Sequence, residues 1–144
     1  MTLYLDTSAL IKRYIEETGS VELEKILDKA EKIVVSQVTR LEAYSTLRRL
    51  LDEKRIDEEA YRLLLEEIDH DIMDLNMIPF DGQVESKAGE MIGKHKLKTL
   101  DSIQLASCLV HRSFVDLFVC CDKRLNIAAK SEGLDITDPT IPPA

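Results

Sequence analysis

Short apolar runs alternate with longer stretches in which apolar residues recur every third or fourth position. TLYL (2–5) reads as a strand ending at Asp6. Ala9, Leu10, Tyr14 and Ile15 then recur at helical spacing over residues 8–17, closed by Gly19. Ser20 opens a helix carrying Val21, Leu23, Ile26, Leu27 and Ala30, and IVVS (33–36) is a β-branched run of buried-strand type. Helices beginning at Thr39 and Asp57, joined by a short turn, form an αα-hairpin. MIPF (77–80) is a third strand, and a helix spans 84–95. The basic loop Lys94-His95-Lys96-Leu97-Lys98 follows, then a helix over 99–112. LFVCC (117–121), the most apolar run, is predicted as the central strand. Asp122 opens a helix through Ala129, and residues 135–137 form a last short strand before the extended tail TIPPA.

This order predicts an α/β fold: one parallel sheet of four to five short strands with helices on both faces, over residues 1–144 as a single domain. Such sheets collect ligands beyond the carboxyl ends of their strands. Four acids are expected at that rim. Asp6 and Asp122 follow strands directly, while Glu42 and Asp101 lie in first turns of helices. Gathered carboxylates repel one another unless a cation sits between them, and an all-oxygen set suits Mg²⁺ or Mn²⁺. Each acid also has a plainer role open to it. Asp6 and Asp122 fit as N-caps. Thr39-Arg40-Leu41-Glu42 fits a capping box, and Asp101 complements the positive end of its helix. Capping leaves two things unexplained. Asp6 and Asp122 end the strands expected to be neighbours, and Leu41, Tyr44 and Leu47 are expected to draw Glu42's side of its helix inward.

The formal net charge of −8 argues against a protein that coats nucleic acid by bulk attraction. Two dications among the four acids would halve it, with the gain placed where a phosphate would sit. Cys108, Cys120 and Cys121 are odd in number and poorly spaced for disulfides, and read as small buried side chains in a reducing cytosol. His70, His95 and His111 show no ligand spacing. No apolar run is long enough to span a membrane, and the N-terminal segment lacks the basic leader of a signal peptide.

LYLDTSALIKRY, VSQVTRLEAYSTLRR, LKTLDSIQLASCLV and FVCCDKRLNIAAKSEGL together resemble the four motif blocks of PIN-domain ribonucleases, most closely the VapC toxins of VapBC toxin–antitoxin modules. The resemblance covers nearly the whole chain and implies a PIN-like three-layer sandwich. It further implies a metal-dependent endoribonuclease acting on RNA, with transfer and ribosomal RNA as candidate targets. The catalytic and metal-binding acids fall on Asp6, Glu42, Asp101 and Asp122, and Ser8 stands behind the first of them. Relatives usually carry Thr or Ser two residues before the last Asp; here it is Cys120, a weaker hydrogen-bond partner. RNA guidance is expected from Lys94, Lys96, Lys98, Arg13 and Arg40, with Lys12, Arg48, Lys123 and Arg124 as further cations. The family also implies a homodimer and a VapB-like antitoxin whose segment lies in a groove, for which Leu10, Tyr14, Leu47 and Leu51 are the expected lining. A degenerate PIN-like RNA- or protein-binding module and a Mg²⁺-dependent phosphatase are the alternatives. The phosphatase reading is weakened because Asp6-Thr7-Ser8 lacks the second Asp of a D-x-D pair.

Overall fold

β1 (Thr2–Leu5) leaves Leu3, Tyr4 and Leu5 without solvent exposure, and a strand buried on both faces requires cover on both. In a computed structural model describing residues 1–142, that cover comes from helices on either side of one sheet. After β1 the chain forms α1 (Thr7–Leu10), a 3-10 turn (Ile11–Arg13), α2 (Ser20–Leu27), β2 (Lys32–Ser36), α3 (Thr39–Asp52) and α4 (Glu58–Met73). There follow β3 (Asn76–Ile78), α5 (Gly82–His95), α6 (Thr99–Val110), a second 3-10 turn (Arg112–Phe114), β4 (Leu117–Val119), α7 (Lys123–Ser131) and β5 (Ile136–Thr137). The strands run parallel in the order β3-β2-β1-β4-β5.

The two-residue repeat of the strands sorts the core into layers. Tyr4, Val34, Ile78 and Phe118 pack on Val84 and Met91 of α5, Leu105 of α6 and Leu125 of α7. Leu3, Leu5, Val35 and Val119 pack on Ala9, Leu10 and Leu23. A third cluster joins α3 to α4 through Ala43, Leu47, Leu50, Ile68 and Ile72, with Ile11 reaching in from the first 3-10 turn. The Tyr4 and Phe118 rings stack with centroids 5.5 Å apart across the β1–β4 pair.

Four expectations need correction. The central strand is β1, not LFVCC: β1 is registered on both sides, Leu3 against Ile33 and against Leu117. β4 ends at Val119, and Cys120, though its N–H still donates to Thr137 O and it is wholly buried, lies beyond it. The first helix stops at Leu10 and tightens into the 3-10 turn, after which the Ser20 hydroxyl donates to Lys12 O at 2.8 Å. Lys94 and His95 belong to α5, whose cap Lys96 adopts a left-handed φ of 56°, so the connecting segment is shorter than the basic loop expected. Finally, Leu10 and Leu47 are core residues and line no groove. Of the tail, Pro143 and Ala144 lie outside the described residues.

Candidate active site

Parallel pairing of β1 with β4 brings Asp6 beside the end of β4: its amide donates to Val119 O at 3.0 Å. Asp6 caps α1. Its Oδ2 accepts the Ser8 N–H at 3.1 Å and also the Ser8 hydroxyl, while Ser8 Oγ accepts the Cys121 N–H at 2.9 Å. One serine thus fastens Asp6 to the end of β4. The Cys120 sulfur accepts the Asp122 N–H at 3.3 Å and lies 3.6 Å from Asp6 Oδ2. Asp122 caps α7, its Oδ1 accepting the Leu125 N–H at 2.9 Å.

Glu42 is in no capping box. The N-cap of α3 is Val38, and the Thr39 hydroxyl accepts instead from Gln104. Glu42 Oε1 accepts from Gln104 Nε2 at 2.6 Å and from the Thr7 hydroxyl at 3.0 Å. Leu41 does not draw it inward, being 68% exposed; the buried stripe of α3 is Thr39, Ala43, Leu47 and Leu50. Asp101 lies in the first turn of α6, and its carboxylate accepts no hydrogen bond among the described residues.

All four carboxylates line one cavity of ≈ 700 Å³. None is in an ion pair among the described residues; the ion pairs found there involve other acids. Each keeps at least one oxygen without a protein donor: Asp6 Oδ1, Glu42 Oε2, Asp122 Oδ2 and both oxygens of Asp101. Capping and site formation are therefore not rivals, since Asp6 and Asp122 each commit one oxygen to the fold. Burial raises the Asp6 carboxyl to about 6, against the opposing pull of Ser8, and the charges of Glu42 and Asp101 add to the rise. Asp101 is also raised, by burial first and then by Asp122 and Glu42, with Lys98 and Arg124 opposing. Among the described residues no three His, Cys, Asp or Glu side chains are gathered into a ready ligand shell. The donor chemistry nevertheless fits a hard divalent cation: four carboxylates lining one cavity, offering oxygen atoms only, and none in an ion pair among the described residues.

The predicted cations are mostly elsewhere. Lys94 pairs with Glu132 at 2.7 Å, which also takes His95 at 2.7 Å; Arg13 pairs with Glu24 and Arg40 with Asp69. Lys96 and Lys98 are not in the cavity wall, although Lys98 is felt by Asp101. The wall holds Lys12, Arg49 and Arg55 instead. Lys12 is among the side chains singled out from the sequence; Arg49, Arg55 and the wholly buried Gln104 are not. A polar side chain inside the otherwise buried run from Ser102 to Leu109 needs partners, and that was the available signal.

A model of the PIN domain matches residues 3–130. The chain belongs to the PIN-domain family. It is 32% identical over 140 residues to Ribonuclease VapC46 of Mycobacterium tuberculosis, covering 96% of this chain and 98% of that one. Two solved PIN-like structures share its fold. FitAcB from Neisseria gonorrhoeae matches with a TM-score of 0.73 at 18% identity, over 95% of this chain and 97% of the other. A toxin–antitoxin complex from Klebsiella pneumoniae matches with a TM-score of 0.63 at 18% identity, over the same shares. This PIN domain has the expected central parallel sheet flanked by helices, and no helix among its described residues is long and apolar enough to cross a membrane.

Proposed function

We propose that this PIN domain is a metal-dependent endoribonuclease and the toxin of a toxin–antitoxin pair. The observation that carries the reading is the set of four carboxylates, from four segments of the chain, lining one cavity with none of them in an ion pair among the described residues. Similarity to a VapC ribonuclease supplies the substrate class. Asp6, Glu42, Asp101 and Asp122 would hold Mg²⁺ or Mn²⁺. A divalent cation there supplies Lewis acidity toward water and a phosphate oxygen. The chain's own groups do the rest. Ser8 fixes Asp6, while Gln104 and Thr7 fix Glu42. Arg49 and Arg55 draw a polyanion toward the acids, while Lys12 is held by Glu17 at 2.8 Å. No histidine lines the cavity, so no histidine is assigned as general base.

A VapB-like antitoxin fits the same surface. Ile15, Leu41 and Leu100 offer apolar surface beside the acids, suited to an amphipathic segment that presents one basic side chain. A homodimer and a cytoplasmic location accompany this reading.

Brief expression followed by sequencing of RNA 5′ ends tests the activity. New, specific ends are expected with the wild type and absent with Asp6→Asn or Asp101→Asn. Divalent-dependent cleavage by highly purified Asp101→Asn would overturn the assignment.

A further inference from the structure

The amide of Gln104 joins three separate segments. Its Nε2 reaches Glu42 Oε1 at 2.6 Å, Thr7 Oγ1 at 3.0 Å and Thr39 Oγ1 at 3.1 Å, while its Oε1 accepts the Tyr4 hydroxyl at 2.6 Å. The orientation of the amide is fixed by chemistry. A carboxylate only accepts, so the nitrogen must face Glu42, and the carbonyl is left for the Tyr4 O–H. Thr7 donates to the same Glu42 oxygen. Two donors therefore converge on Oε1, the nearer assisted by charge, and Oε2 has no protein donor among the described residues. Gln104 follows Asp101 by three positions, which puts the two on one face of α6. Gln104 and Tyr4 have no solvent exposure, so water does not compete for these bonds.

We propose that Gln104, with the Thr7 hydroxyl, is a positioning residue that saturates Glu42 Oε1 and presents Glu42 to the site as a one-oxygen ligand. One buried amide then fixes the acid on α3 from α6, the helix that also carries Asp101. This rests on the reading that the acids hold a divalent cation, and the test separates the two ideas.

Mn²⁺ is titrated calorimetrically into metal-free full-length protein, with thermal melting as the check on folding. Partners standing behind a metal's carboxylate ligands typically cost 10- to 100-fold when removed. Gln104→Met, close in shape but without donors, is expected to bind Mn²⁺ about 10- to 100-fold more weakly. Tyr4→Phe frees the amide without removing a donor to Glu42, and should lose less. Thr7→Val is expected to weaken binding and Thr7→Ser to restore it, a pattern that a packing role would not give. A folded Gln104→Met with wild-type Mn²⁺ affinity overturns the proposal. If Gln104→Met does not fold, equal Mn²⁺ affinities for Thr7→Val and Thr7→Ser overturn it. Glu42→Gln binding Mn²⁺ as tightly as the wild type would sink the cation reading itself, and this proposal with it.

Discussion

At the scale of single residues, Asp6 carries the clearest energetic signature. Its carboxyl is raised from 3.8 to about 6, chiefly because it is 5% exposed and ionisation there forfeits hydration. The folded state thus holds a proton that the unfolded chain has released between those values. Stability is highest below the unfolded value and falls as pH rises toward the folded one. A shift of about two units corresponds to about 3 kcal/mol lost by pH 7 in the metal-free protein. Denaturation in chelator is expected to show Asp6→Asn more stable than the wild type near pH 7, by up to about 3 kcal/mol, with the gap closing toward pH 4. A gap that is flat in pH would contradict this. Added Mn²⁺ should narrow it by stabilising only the wild type, since binding to the folded state adds to stability.

At the scale of elements, α7 shows how helix capping and the site share one side chain. Asn caps as well as Asp, whereas Ala does not, at a cost of about 1 kcal/mol. Asp122→Asn should therefore keep the melting behaviour of the wild type and lose cleavage, while Asp122→Ala loses both cleavage and about 1 kcal/mol. Urea denaturation alongside an RNA-cleavage assay separates the two effects. Asp6 and Asp122 were legible in the sequence because β1 and β4 are short apolar runs with a capping acid at or shortly after their ends, and the alternation of elements put those ends on one rim. The partners of Glu42 were not legible. Its helix runs its buried stripe through Ala43 and Leu47, and the bonds to Thr7 and Gln104 cross 35 and 62 positions of sequence. The bond from the Ser20 hydroxyl to Lys12 O was hidden for a similar reason: Ser20 reads locally as the opening of the next helix. Lys94, Lys96 and Lys98 drew notice by closeness to Asp101 along the chain. Yet Lys94 turns to Glu132, and the wall is supplied by Arg49 and Arg55, at the end of α3 and beyond it.

At the scale of the molecule, a net charge of −8 and a cationic part of the cavity wall set how RNA would be met. Arg49 lies seven residues after Glu42, about 10 Å along the axis of α3, which is far enough to engage a phosphate other than the one being cut. Its ion pair with Glu53 is long, 3.8 Å, and exposed, so it yields readily to a phosphate. For the double variant Arg49→Gln/Arg55→Gln, RNA binding should weaken, and the slope of log affinity against log salt should shrink by about 1.4, or about 0.7 per single-strand phosphate contact. An unchanged slope would return attention to Lys96 and Lys98. The sheet itself bears on assembly. It narrows from five residues in β2 to three in β3 at one margin and two in β5 at the other. Those outer strands offer only a few free amide and carbonyl groups, too few to template a neighbour's backbone. Two copies of this protein have little to gain by extending one sheet into the next, so a durable homodimer has to be built from side chains on its helical flanks.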